Sequence, residues 1–246
     1  MLFLHKKNAR NDKITYTKFI AMSIKNNILS IQSTLPEGVR LVAVSKFHPV
    51  ETIREAYDAG QRVFGENRVQ ELADKQPVLP PDIEWHFIGT LQTNKVKYIV
   101  PYIAMIQSVD SEKLLQEIDS QARKINRTVN VLIEIHIAEE ASKHGFLPDE
   151  CKELFTNDLS KKYPNVKICG LMGMATFTDN VGQVEREFEK LHDLFEEIRA
   201  LPQTDEAVFQ ELSMGMSDDY LLAVKQGSTI VRIGSKIFGE RNKRNT

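Results

Sequence analysis

Lys46 ends the apolar run VAVSK near one end of the chain, and Arg232, Gly234 and Ser235 follow the apolar run TIVRIG near the other. A lysine amine condenses with an aldehyde when it is neutral. A guanidinium adds a rigid fork of donors, and a glycine next to a serine lets backbone and hydroxyl approach a ligand closely. If the two runs are neighbouring strands, these groups share one pocket mouth and suit an aldehyde that also carries a phosphate. The segment SMGMSDD supplies a further turn, in which Ser217 follows a glycine and precedes a helix. The free N–H groups of a helix start can hold phosphate oxygens. Asp218 and Asp219 oppose an anion there unless they point away.

Something must bring the two ends together. Strand-like apolar runs recur along the chain as LVAVSK, RVFGEN, IEWHFIG, AMIQSVD, VNVLIEIHI, VKICGLMGM, VFQELSMG and TIVRIGSKIFG. The segments between them have helical spacing. Over 111–126 Leu114, Leu115, Ile118, Ala122 and Ile125 form one stripe, and over 181–200 Val184, Phe188, Leu191, Leu194, Phe195 and Ile198 form another. Gly60 and Gly227 read as helix stops, Ser111 and Ser217 as N-caps. Eight strands alternating with helices predict a single (β/α)8 barrel over 22–246, with an extra N-terminal helix at about 22–36 covering the bottom. An open doubly wound sheet would carry a glycine fingerprint after its first strand; KFHPVE stands there instead.

In a barrel the last strand lies beside the first, and active groups sit at the carboxyl rim. The strand period of two places Lys46 on the face of Val42 and Val44, and Arg232 on the face of Ile230 and Gly234. If that face is the inner one, two charges stand at the rim of a packed core, and each needs a partner or a ligand. For Lys46 the bland alternative is solvent, or a carboxylate such as Glu66 or Glu211.

Composition bounds the rest. The chain has 246 residues, 41% hydrophobic and 27% charged, with a formal net charge of -2. That gives ample material for a core and no basic field for nucleic acid. No run approaches the roughly 18 apolar residues of a membrane span. Cys151 and Cys169 have no metal-ligand spacing and imply no disulfide framework, which suits a reducing cytoplasm. Residues 1–21 are basic but lack a secretory apolar region. They read as a disordered extension or an upstream start before Met22, with a basic transit-like segment as the other reading.

Other conspicuous residues take blander readings. His86, inward by parity, and Asn94 are read as holding a βα turn together, although either could orient a substrate. Asn94 and Lys95 open the helix after the third strand. Trp85 packs against a helix. The methionines of GLMGMATF and SMGMSDD read as adaptable core or rim filler. His136, His144 and His192 do not cluster, and no metal site is expected. KKY at 161–163 and NKR at 242–244 are solvated charge.

Taken together, VAVSK, FGENRVQE, WHFIGTLQTNK, GLMGM, LSMGMSDD and VRIGSKIFGER resemble the pyridoxal phosphate homeostasis family, the YggS-like or proline synthase co-transcribed proteins, over about 38–241. The family is similar in fold to the barrel domain of alanine racemase. The resemblance implies pyridoxal 5'-phosphate as cofactor and Lys46 as its Schiff-base lysine. It implies Arg232 against the pyridine nitrogen, and Ser217, Gly234 and Ser235 around the phosphate, with Ser235 replacing a common threonine. Asn67 and Met214 are implied to flank the ring.

An arginine at the ring nitrogen keeps that nitrogen unprotonated and weakens the cofactor as an electron sink. A partly dry rim beside Arg232 is expected to lower the lysine pKa. The resemblance therefore implies a non-catalytic carrier in cofactor homeostasis and amino-acid and keto-acid balance, acting as a cytoplasmic monomer with cofactor-dependent apo-enzymes as recipients. An amino-acid racemase is the alternative, but this fold type takes a second acid/base from a C-terminal domain, for which the reading leaves no residues. A Schiff-base aldolase would leave Arg232 and the two phosphate turns without a task.

Overall fold

In the computed structural model, which describes residues 23–139 and 145–239, each of the apolar runs contains a strand. The strands are β1 (Arg40–Val44), β2 (Val63–Glu66), β3 (Glu84–Phe87), β4 (Met105–Val109), β5 (Val129–Ile135), β6 (Val166–Gly173), β7 (Glu211–Ser213) and β8 (Ile230–Ile233). All pair in parallel and in chain order around a closed barrel. The closing seam sets β8 against β1, with Val42 opposite Arg232 and Ala43 opposite Ile233. Closure leaves no sheet edge with unpaired backbone groups.

The helices are α1 (Ile24–Gln32), α2 (Val50–Asp58), α3 (Val69–Lys75), α4 (Val96–Ile99), α5 (Glu112–Lys124), α6 (Pro148–Leu154), α7 (Leu159–Lys162), α8 (Val181–Arg199), α9 (Tyr220–Lys225) and α10 (Ser235–Phe238). The period of two divides the apolar residues into two layers. Leu41, Ala43, Phe64, Trp85, Val231 and Ile233 face the helices and join the stripes of α5 and α8 in the larger core. Val42, Met105, Leu132, Cys169, Met172 and Ile230 fill the barrel interior. Trp85 packs 5.9 Å from Phe64, ring to ring, in the outer layer. No helix among the described residues is long and apolar enough to cross a membrane.

Three local expectations are corrected. α1 does not cover the bottom: it packs on α2 and α10, with Asn27 Nδ2 donating to Ile237 O at 2.9 Å. α10 is a single turn, so the seam between β8 and β1 is thinly covered, and the apolar face of α1 with Ile28 and Ile31 fills that gap. Ile125 leaves the α5 stripe and is exposed, because the helix ends at Lys124 before another turn can bury it. Ser217 is not an N-cap. Asp219 holds that position for α9, and Ser217 lies in the preceding turn. Ser111 does occupy the N-cap of α5, and Gly60 and Gly227, both with positive φ, terminate α2 and α9. Residues 1–21, Met22, His144 and residues 242–244 lie outside the described residues.

Candidate functional site

At the carboxyl rim a hollow of about 240 Å³ opens between the ends of β1, β6, β7 and β8. Lys46, Ser217, Arg232, Gly234 and Ser235 all line it. The seam explains why residues so far apart in sequence meet. Gly234 follows β8 and sits against Val44 at the end of β1, where an added Cβ would lie 3.2 Å from Val44 O and 3.4 Å from its Cβ. A larger residue would crowd the closure of the barrel.

Lys46 is half-buried, two residues beyond the end of β1. The two carboxylates that the sequence offered as its partners lie in other ion pairs. Glu66 pairs with Lys75 at 2.7 Å, and Glu211 pairs with Arg40 at 2.6 Å.

Arg232 is 4% exposed, and protein acceptors fix its guanidinium. Nη1 donates to Ser213 Oγ at 2.5 Å and Nη2 to Gly173 O at 3.0 Å. Ser213 Oγ donates in turn to Gln107 Oε1 at 2.7 Å, and Gln107 Nε2 stands 2.7 Å from His86 Nδ1. Since the Gln107 oxygen is an acceptor, its nitrogen donates and His86 Nδ1 accepts. Burial lowers the His86 pKa to about 3, with the Arg40 charge adding to the effect, so the ring is neutral and suited to accepting. Burial also pulls Arg232 down to about 10, while the Glu134 and Asp219 carboxylates oppose the fall. It remains a cation at neutral pH. A row of donors all pointing one way thus crosses the barrel from Arg232 on β8 to His86 on β3.

This corrects the reading of His86. It does not hold a βα turn; it ties β3 to β4 inside the barrel. Asn94 lies in a single 3-10 turn at Thr93–Lys95, before α4.

On the β7 side of the hollow, Gly215 has φ +92 and lets the chain turn sharply after β7. Asp219 folds back on this turn, its Oδ1 accepting from Met216 N–H at 2.5 Å. Asp219 and the exposed Asp218 both line the hollow, leaving two acids at its mouth. Apart from Gly239, the remaining lining is apolar or aromatic: Val44, His48, Ile88, Met174, Phe177 and Met216. His48 packs on Phe238 with ring centroids 4.8 Å apart and joins the loops after β1 and β8.

Two expected site residues are not brought to this hollow. Met214 is fully buried in the outer core. Ser213 turns inward to Arg232, so its neighbours Leu212 and Met214 must face the helices. Met216, two residues on, lines the hollow instead. Asn67 lines a separate depression with Arg68, Thr90, Lys95 and Tyr98. Its backbone and Cβ press on Gly89, where an added Cβ would lie 2.5 Å from Asn67 O, and that packing holds it in the loop between β2 and α3. Sequence reasoning passed over His48 and Phe177 and read Met174 only as core or rim filler. The signals were an imidazole two residues after Lys46 and, for Phe177, an aromatic in a loop, 86% exposed in the structure.

A family model described as "Alanine racemase, N-terminal domain" matches residues 21–242. The pyridoxal phosphate homeostasis protein of Aquifex aeolicus is 45% identical over 208 residues, covering 82% of this chain and 87% of its own. The protein of that name from Homo sapiens is 42% identical over 214 residues, covering 82% and 77%. Among solved structures, PipY of Synechococcus elongatus with PLP bound superposes with a TM-score of 0.79 at 37% identity, covering 88% of this chain and 100% of PipY. Alanine racemase from E. faecalis superposes with a TM-score of 0.69 at 18% identity over 92% of this chain and 60% of its own, a likeness of fold.

Proposed function

This chain belongs to the pyridoxal phosphate homeostasis family, and from that premise we propose that it binds pyridoxal 5'-phosphate at the rim of its barrel, with Lys46 supplying the amine, and serves to hold and hand on the cofactor. The observation that carries this reading is the meeting of Lys46, Arg232, Ser217, Gly234 and Ser235 in one hollow. The donor set fits the cofactor group by group. An amine suits the aldehyde, and two hydroxyls beside a closely packed glycine suit the phosphate. Apolar side chains such as Val44, Ile88 and Met216 suit the faces of a flat ring. Asn67 and Met214 have no part in this proposal.

When bound, pyridoxal phosphate supplies an electron sink for carbanions. Arg232 would restrain that chemistry. Its protons are held by Ser213 and Gly173, and it remains a donor at neutral pH, so a ring nitrogen facing it stays unprotonated. The family is named for homeostasis rather than for a reaction. The reading therefore favours a monomeric cytoplasmic carrier that passes the cofactor to cofactor-dependent apo-enzymes.

The test is a visible absorption spectrum of purified protein incubated with pyridoxal phosphate and then desalted. A retained yellow band near one equivalent supports the reading. A desalted protein with no band contradicts it.

A further inference from the structure

Lys46 stands at the corner of a tight turn. His48 N–H donates to Ser45 O at 3.1 Å, closing the four residues Ser45–His48 into a β-turn. Its third residue, Phe47, has φ +67. Type II turns require that sign at that position and fill it with glycine or asparagine. A bulky aromatic there is held against its own backbone preference and needs outside support.

The support comes from α3. The peptide group entering Lys46 carries Ser45 O, which accepts from Lys75 Nζ at 2.9 Å. The peptide group leaving Lys46 carries Phe47 N–H, which donates to Glu71 Oε1 at 2.6 Å. Lys75 and Glu71 are themselves paired at 2.6 Å. Lys75 also binds Glu66 at 2.7 Å, and Glu66 accepts from Ser45 Oγ at 2.6 Å. An ammonium has three N–H donors, and these three acceptors match them. Lys75 is 6% exposed and Glu66 fully buried, so water competes little with the cluster. Glu66 neighbours the outward-facing Ser45, which puts the cluster on the helix side of the sheet, behind the hollow.

We infer that Lys75 and Glu71 are positioning residues for Lys46: together they grip the peptide groups on both sides of it and so set the direction in which its amine enters the hollow. Stability alone does not account for the arrangement, since apolar side chains of similar volume commonly hold a fold as well as buried ion pairs do. Fixing one strained turn is a task that demands directional bonds. The inference rests on the reading of Lys46 as the cofactor's amine.

The experiment compares wild type, Glu71→Ala and Glu71→Ala/Phe47→Gly, each shown to be folded by circular dichroism. Two readouts are taken. One is competitive acetylation of Lys46 relative to the exposed Lys97 in protein without cofactor, followed by mass spectrometry. The other is the rate at which the visible band appears on adding pyridoxal phosphate. Glu71→Ala should change relative Lys46 labelling and slow the band by about tenfold, because small misplacements of a reacting group are costly. Phe47→Gly should restore most of both, since glycine adopts positive φ without support.

If Glu71→Ala does not fold, Lys75→Gln/Glu66→Gln removes the buried charges together and is read in the same way. Unchanged labelling and band rate in the folded variant overturn the inference, and so does a defect that Phe47→Gly fails to relieve. A wild type that forms no band while labelling shifts and recovers as expected overturns the cofactor reading and leaves the clamp standing.

Discussion

Arg232 Nη1 lies 2.5 Å from Ser213 Oγ, and this contact joins the rim hollow to a polar row running through Gln107 to His86. The barrel interior is thus apolar at Val42, Leu132 and Ile230 but polar beneath the hollow. The arrangement orients a cation that would otherwise be an expensive burial.

Arg232→Ala should leave Ser213 Oγ and Gly173 O without their donor and cost about 2–4 kcal/mol. It should also shift the visible band of bound cofactor, whereas Lys95→Ala, in the separate depression, should not. Denaturant unfolding and absorption spectra of the two variants check this. An Arg232→Ala protein with the wild-type spectrum and affinity would show that the guanidinium does not approach the ring.

His86 makes stability depend on pH with a definite sign. Its pKa falls from 6.5 when unfolded to about 3 when folded, so between those values the unfolded chain binds the extra proton. Stability should therefore rise with pH through this window, and fall by up to about 1.4 kcal/mol per pH unit on acidification. His86→Gln should flatten the profile between pH 6.5 and the onset of acid unfolding. Parallel profiles for the two proteins would contradict the assignment.

Gly215 combines φ +92 with an added Cβ that would lie 2.6 Å from Ala223 Cβ and 2.9 Å from Tyr220 Cα, while Gly38, with φ +89, has nothing within 4 Å. Gly215→Val should cost about 2–3 kcal/mol, a fall of roughly 5–10 °C in Tm for a chain of this size. Gly38→Ala isolates the backbone strain and should cost about 1 kcal/mol. Equal shifts in Tm would mean that the turn after β7 yields more easily than its packing implies.

The carrier reading predicts no sustained turnover with single enantiomers of common amino acids, followed by chiral chromatography. A carrier has no use for positioned proton-transfer groups, which contribute about 10²–10⁴-fold of rate in an enzyme. Turnover near ~1–10³ s⁻¹ that is lost in Lys46→Ala would restore the racemase alternative.

The barrel and most of its rim were legible in the sequence because they follow from local periodicity. Alternating apolar runs named the strands, and parity put Arg232 with Ile230 on the inner face. The same parity, followed from Ser213, would have turned Met214 outward, but β7 is only three residues long and gave no alternation to count. The row from Arg232 to His86 was not legible, since it crosses four strands and Gln107 sits in a run that looks merely apolar. Nor was the cluster behind Lys46. In sequence Glu66 reads only as a partner for Lys46, while Glu71 and Lys75 carry no signal; only the packing of α3 on β1 and β2 brings the three together. The place of α1 depended on how short α10 is, a length that no motif announces.

The central claim is that Lys46, and no other lysine, carries the cofactor. Borohydride reduction of the protein with pyridoxal phosphate, followed by proteolysis and peptide mass mapping, reads this directly. The account predicts one pyridoxyl group, on Lys46, and none in Lys46→Ala. Label found only on Lys95 or Lys236, with Lys46 unmodified, would contradict it.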